Sequence, residues 1–289
     1  MYIVVDLDDT LLNSERQITE YTHKVFNELR EKGHKIVINT ARSFFTASRL
    51  INELEPDYSI LNGGSLVIDK DKNIIHSDSF DNNVNEVIRA LGKISDRIAA
   101  QTFEVLYTTD PTYKLQNAQY KDLFKEDITE DVYKVIFMAN SDEEVRKIAL
   151  EFDLEYVNYL NGPWYRVTPK GITKFSGIEN LMKITGDKVE DVIAFGDDYS
   201  DLEMLLNVGH GVAMANSVSY VLEKVKNHAL SHNEDGVAKY LVEYMSKKSI
   251  WCFFYFTKSD IISLWKVIYG DYYGEKIFVW NVRNSFSFW

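Results

Sequence analysis

The first apolar run is Tyr2-Ile3-Val4-Val5, short and β-branched, the pattern of a buried strand. From Ile18 to Lys32 the period changes: Ile18, Thr22, Val25, Phe26 and Leu29 fall on one helical face, and Gly33 is a natural stop. Lys35-Ile36-Val37-Ile38 predicts a second strand. Ser43 is placed to cap a helix running to Leu54, ended by Pro56, and Tyr58 to Leu61 predicts a third strand. Strand, helix, strand, helix, strand is the rhythm of a parallel α/β sheet.

The rhythm then breaks. Leu66-Val67-Ile68 and Asn73-Ile74-Ile75 flank Asp69-Lys70-Asp71-Lys72, a hairpin signature. A helix is predicted over Val84 to Ala99, strands over Thr102–Tyr107, Val132–Met138, Glu155–Tyr159 and Tyr165–Thr168, and a helix over Asp142–Phe152. Alternation resumes after Gly171: helix Lys174–Ile184, strand Asp191–Phe195, helix Leu202–Leu206, strand Gly211–Met214, then helices Val218–Lys226 and Gly236–Ser246. The simplest account is one α/β domain, residues 1–80 and 166–248, interrupted by a mixed α+β insert, residues 81–165. No Pro/Gly/Ser-rich linker and no internal repeat marks another boundary.

Net charge is −12, from 44 acids and 32 bases. That field repels nucleic acid and anionic membranes, so neither is expected as a partner. An anionic substrate would need local cations or a metal to reverse the sign. The single cysteine, Cys252, allows no internal disulfide and fits a reducing cytoplasm. No basic leader opens the chain. The longest apolar run, Ile250–Phe256, is far below the ~20 residues of a membrane helix.

Four segments carry chemistry, each at a strand-to-helix junction. Asp6-Leu7-Asp8-Asp9-Thr10 follows the first strand. Carboxylates there repel one another and cost desolvation, so a sheet has no use for them. The carboxyl ends of strands in an open α/β sheet are where ligands bind. If the chain stays extended, Asp6 and Asp8 point to one side, and one can attack while the other moves a proton. Turn or capping acids are the structural alternative. Gly196-Asp197-Asp198-Tyr199-Ser200-Asp201 is the second acidic group. Acids converging from two strands need a cation, and hard oxygen ligands favour Mg²⁺. Helix-start acids are the alternative. Thr40-Ala41-Arg42-Ser43 offers a hydroxyl and backbone N–H groups to an anion, or merely a cap. Lys174, at a helix start, opposes the helix dipole unless an anion is bound.

In this order and spacing the four segments resemble the haloacid dehalogenase superfamily of phosphotransferases, nearest its Cof-like phosphatase branch. The likeness spans about Met1 to Ser246. It includes Asn62-Gly63, Gly211-Val212-Ala213-Met214-Ala215-Asn216 and Asn233-Glu234-Asp235-Gly236-Val237-Ala238. The insert sits where that family carries a C2-type cap over a Rossmann-like core. The resemblance implies Asp6 as the nucleophile that becomes an aspartyl-phosphate and Asp8 as the acid/base, with its pKa raised for the first step. It implies phosphate binding by Leu7, Thr40, Ala41 and Lys174. Mg²⁺ would be held by Asp6, Asp197 and the Asp8 carbonyl, with Asp201 behind them. Ser200 is a further phosphate-binding position in that likeness; it departs from the pattern, which has Asn there, but its hydroxyl can still donate with a shorter reach. The activity implied is Mg²⁺-dependent hydrolysis of a small phosphorylated metabolite. Alternatives are a phosphomutase of the same superfamily and a binding protein without turnover. A signalling receiver is disfavoured, since Tyr58-Ser59-Ile60-Leu61 ends in Asn62, not Asp. Tyr107, Tyr113, Trp164, Tyr165 and Arg166 are candidates by type for choosing the leaving group.

Residues 249–289 lie beyond the resemblance. Fourteen of these 41 residues are aromatic, with four of the five tryptophans. Packing on the core, a homodimer contact or an aberrant extension would each explain them, the last or another accessory role being favoured. Lys258, Asp260 and Lys266 oppose a membrane span.

Overall fold

A computed structural model describes residues 1–255, apart from 82, 111, 113, 114, 116, 117, 160 and 161, with backbone alone for 248–255. In chain order the strands and helices are β1 (Tyr2–Val5), α1 (Glu20–Glu31), β2 (Lys35–Asn39), α2 (Phe44–Leu54), β3 (Tyr58–Leu61), β4 (Leu66–Asp69), β5 (Ile74–Ser77), α3 (Val84–Leu91), β6 (Ile98–Gln101), β7 (Val105–Thr108), β8 (Gln119–Asp122), β9 (Lys134–Met138), α4 (Asp142–Glu151), β10 (Leu154–Asn158), β11 (Trp164–Pro169), α5 (Lys174–Thr185), β12 (Val192–Gly196), α6 (Leu202–Asn207), β13 (His210–Met214), α7 (Ser219–Lys224), β14 (Asn227–Ala229) and α8 (Gly236–Tyr255).

Eight strands form one sheet in the order β14-β13-β12-β1-β2-β3-β4-β5. The six from β14 to β3 are parallel; β4 and β5 add the expected antiparallel hairpin. Both faces of the parallel part are covered, which is why β1 and β12 are buried at every position and their sequences are unbroken apolar runs. On one face Val4, Val37, Ile60, Ala194 and Ala213 pack with Ile178 and Leu181 of α5, Met204 of α6 and Val221 of α7. The chain runs outward from β1 in both directions, to β2 on one side and β12 on the other. The cleft at their carboxyl ends is therefore the topological switch point of an α/β sheet.

A second sheet, β10-β11-β9-β6-β7-β8, is antiparallel except for β7/β8. One of its faces carries Val135, Phe137, Tyr165 and Val167, packed with Val87 and Leu91 of α3 and Val145 and Ile148 of α4. These residues form a mixed α+β layer, and β11 keeps the chain in its sheet through Pro169, past the boundary expected at 165.

Some elements differ from expectation. The helix expected over Val84–Ala99 stops at Leu91, capped by Gly92, and Ile98–Gln101 is strand β6, paired with β9 and β7. Thr102 is not in a strand; its hydroxyl bonds Val105 N and O in the turn before β7. β8 and β14 were not foreseen. Both are short sheet edges, and Gln119–Asp122 and Asn227–Ala229 carry no run of apolar residues. The helix expected to end at Ser246 continues to Tyr255. The chain divides into two compact units, Met1–Lys239 and Tyr240–Trp289. Most of the aromatic-rich segment, from residue 256 on, lies outside the described residues, as does Tyr113.

Candidate active site

The segment after β1 does not stay extended but forms a wide turn over Leu7–Leu11. Leu11 N donates to Asp6 O at 3.2 Å, and Leu12 N donates to Leu7 O at 2.9 Å. Asp8 is extended within it, and Asp9 is left-handed at φ 55°. The motifs matched late in the chain brace this loop. Asn216 donates to Asp9 O at 2.7 Å, Asn233 accepts from Ser14 N at 2.9 Å, and Asp235 accepts from Thr19 Oγ1 at 2.5 Å.

The turn delivers Asp6 to a buried ion cluster. Lys174, at the start of α5, donates to Asp6 Oδ1 at 2.7 Å and to Asp201 Oδ1 at 2.5 Å. All three are at most 5% exposed. Lys174 is fixed through its own backbone, since Asn39 at the end of β2 donates to Lys174 O at 2.9 Å. The other oxygen of Asp201 accepts from Asp197 N and Asp198 N, both at 3.1 Å. This needs a glycine at the end of β12: a Cβ on Gly196 would lie 2.5 Å from the Asp201 side chain. Thr10 donates to Asp197 Oδ1 at 3.0 Å.

Asp6, Asp197 and Asp201 place carboxylate oxygens within 4.8 Å of one another. Burial pushes Asp6 up to about 7; Lys174 opposes this and Asp201 adds to it. Asp197 is pushed up to about 7 by burial and by the charge of Asp201. Burial alone would pull the Lys174 ammonium down, but Asp6 and Asp201 outweigh it and hold it above its usual range. Three carboxylates face one ammonium, an excess equal to the charge of one divalent cation. Both Asp201 oxygens already accept from protein donors, so Asp6 and Asp197 are the carboxylates left to ligate. These residues fit a small hard cation.

Asp8 departs from expectation. Arg42 grips it with both arms, Nε to Oδ2 at 2.8 Å and Nη2 to Oδ1 at 2.6 Å, and Arg16 pairs with Oδ1 as well. Burial would raise Asp8, but the Arg42 and Arg16 guanidiniums outweigh it and hold the carboxyl below the usual range. The shift is opposite to the raised pKa expected from the sequence, because Arg42 and Arg16 meet Asp8 only in the fold. Arg42 was visible in Thr40-Ala41-Arg42-Ser43; its partner was not.

Thr40 is buried, and its Oγ1 accepts from Arg42 N at 3.2 Å, which leaves the hydroxyl proton free to donate. Asn62 N bonds Arg42 O and Gly63 N bonds Thr40 O, so the Asn62-Gly63 segment shapes the Thr40 loop. Ser43 occupies the cap position of α2 without the side-chain bond of a cap. Ser200 is exposed in the turn before α6. Tyr107 and Tyr165 belong to the insert's own core. Asp6, Lys174, Asp197 and Asp201 thus come together as the sequence suggested, with Thr40 and Asp8 tied to the neighbouring Arg42.

Residues 3–241 match the model of the haloacid dehalogenase-like hydrolases. The chain belongs to that family. It is 26% identical over 262 residues to the 5-amino-6-(5-phospho-D-ribitylamino)uracil phosphatase YitU of Bacillus subtilis, covering 84% of this chain and 97% of the relative. A second B. subtilis phosphatase of the same name, YcsE, is 28% identical over 243 residues, covering 82% and 92%. Among solved structures, a haloacid dehalogenase-like hydrolase from Bacteroides thetaiotaomicron superposes with TM-score 0.72 at 24% identity, covering 84% and 98%. A subclass IIB sugar phosphatase superposes with TM-score 0.68 at 20% identity over the same shares. The fold expected from the sequence is the fold found, and the names of the relatives agree with the expected phosphoric monoester hydrolase. Among the described residues no helix is long and apolar enough to cross a membrane.

Proposed function

We propose that this chain hydrolyses a small phosphorylated metabolite with Mg²⁺, through a phosphoryl group carried on Asp6. The observation that carries the reading is the buried Asp6–Lys174–Asp201 cluster with Asp197 beside it, at the switch point of the sheet. Asp6 is held by one oxygen on Lys174, leaving the other to attack phosphorus. Lys174 then faces the charge gathering on the equatorial phosphoryl oxygens, and the Thr40 hydroxyl and the amides of Leu7 and Ala41 add donors. Asp201 acts through others: it orients Lys174 and fixes the backbone that presents Asp197. Mg²⁺, held by Asp6, Asp197 and the Asp8 carbonyl, would supply further charge neutralisation at the same oxygens.

Asp8, kept ionised by Arg42, suits the base that takes a proton from the attacking water. Its acid role in the first step requires that this pair open. A phosphoryl group bound beside Asp6 favours opening, because it offers Arg42 a competing anion. Two relatives are named for a phosphate ester carried on a ribityl chain, which supports a small polyol or sugar phosphate as substrate, in a reducing compartment that fits the single cysteine. We assign the insert, residues 81–169, as the cap over the core.

The test is phosphate release from a panel of sugar phosphates and phosphorylated nucleosides, with Mg²⁺ and with excess chelator. Release that depends on Mg²⁺ is expected. Transfer of the phosphoryl group to a second sugar without free phosphate would make the protein a mutase, and no turnover of any phosphate ester would overturn the reading.

A further inference from the structure

β9 alternates strictly. Val135 and Phe137 are fully buried under α3 and α4, so Lys134, Ile136 and Met138 lie on the sheet's other face. Arg166 of β11 pairs in register with Ile136, and Gln101 of β6 with Lys134, which puts both on that face too. The face is turned to the core. Lys134 Nζ donates to Ala41 O at 2.9 Å, and Phe103 packs on Phe44 with ring centroids 4.4 Å apart. Ala41 follows Thr40 in the loop that borders Asp8.

Lys134 is 6% exposed, yet among the described residues no carboxylate lies within ion-pairing distance of it. Among the described residues Arg166 likewise has no ion pair, and its buried Nε has no partner. Gln101 Oε1, opposite Lys134, is also buried and finds no partner among the described residues. The two cations are close enough that Arg166 adds to burial in lowering the Lys134 ammonium. In a chain with twelve excess negative charges, two neighbouring cations left without a carboxylate are costly to the free protein. A bound anion would offset that cost and satisfy Arg166 Nε.

We propose that Lys134 and Arg166 bind a second anionic group, a carboxylate or a phosphate, on the leaving group of the substrate, and so select acidic phosphometabolites over neutral ones. This rests on the phosphatase reading above and narrows it.

The test pairs probes that differ by that one group. For the full-length protein with Mg²⁺, kcat/KM is compared for glycerol 3-phosphate against 3-phosphoglycerate, and for fructose 6-phosphate against fructose 1,6-bisphosphate. The first pair isolates a carboxylate, the second a phosphate. Two charge-assisted hydrogen bonds should favour the acidic member of at least one pair by about 10- to 100-fold. Arg166→Gln and Lys134→Met should each bring the ratio towards one. Arg166 is less buried, so Arg166→Gln carries the test if Lys134→Met fails to fold. The same ratios are read as dissociation constants by calorimetry on Asp6→Asn, which needs no turnover. Binding that prefers the acidic probes without turnover would sink the phosphatase reading and keep the subsite. Equal handling of both members of both pairs, or ratios unmoved by Arg166→Gln, would overturn the subsite.

Discussion

Lys174→Met removes the ammonium and keeps the length and apolar bulk of the stem. In the parent, Nζ lies 2.7 Å from Asp6 Oδ1 and 2.5 Å from Asp201 Oδ1, all three side chains buried. The variant leaves both carboxylates without their cation. Breaking a buried ion pair from one side costs about 3–5 kcal/mol. For a domain of this size that lowers Tm by about 6–20 °C. The scan belongs in excess chelator, because a bound cation would stand in for part of the lost charge. Removing a second charge in Lys174→Met/Asp201→Asn should recover part of the loss, since an Asn oxygen still accepts from the Asp197 and Asp198 amides and one unpaired charge is gone. Activity should not return. Loss of one preorganised donor facing the phosphoryl oxygens costs about 10²- to 10³-fold in kcat. Thermal unfolding by circular dichroism, with phosphate release on the same samples, reads both. A Tm within about 2 °C of the parent, or a double variant less stable than Lys174→Met, would refute the charge argument.

Asp197→Asn should abolish the stabilisation of the protein by added Mg²⁺ together with turnover; an unchanged Tm increase on adding Mg²⁺ would remove Asp197 from the metal site. Lys134 is pushed down to about 7 by burial and by Arg166. A base with a lowered folded pKa costs stability below that pKa, and the cost fades as pH rises from about 7 towards the unfolded value near 10.4. Lys134→Met should therefore raise the Tm of the ligand-free protein at pH 7, with a gain that shrinks by pH 9.5; a gain that grows with pH would contradict the sign. The matched family region ends at residue 241 and every candidate site residue precedes it. A chain ending at Lys248 should accordingly fold and keep its phosphate-release rate, and a truncated chain that is insoluble or inactive would make the aromatic-rich segment integral.

The parallel strands were legible because burial on both faces forces unbroken apolar runs, and such runs have few other meanings. The acids were legible because carboxylates converging from two strand ends cost energy that cations must offset, and Lys174 balances only part of it. What was not legible depends on where loops go. Nothing in the spacing of Asp8, Arg16 and Arg42 says that they meet; the turn after β1 brings them together. Asn216, Asn233 and Asp235 were noticed as motif positions, but only the fold shows that they brace that turn. Lys134 is the single charged position in the apolar stretch Val132–Met138, and its burial follows from the core beneath the sheet. Gly92 was a stop signal passed over, because the apolar pattern continues beyond it into β6.

The central claim is that Asp6 carries the phosphoryl group. Rapid quenching in acid during turnover of a ³²P-labelled substrate, followed by peptide mapping, tests it directly. Acid-stable label is expected on the peptide containing Asp6 and lost in Asp6→Asn, whose kcat falls by about 10⁴- to 10⁶-fold. Undiminished turnover in Asp6→Asn, or label that remains on that variant, would contradict it.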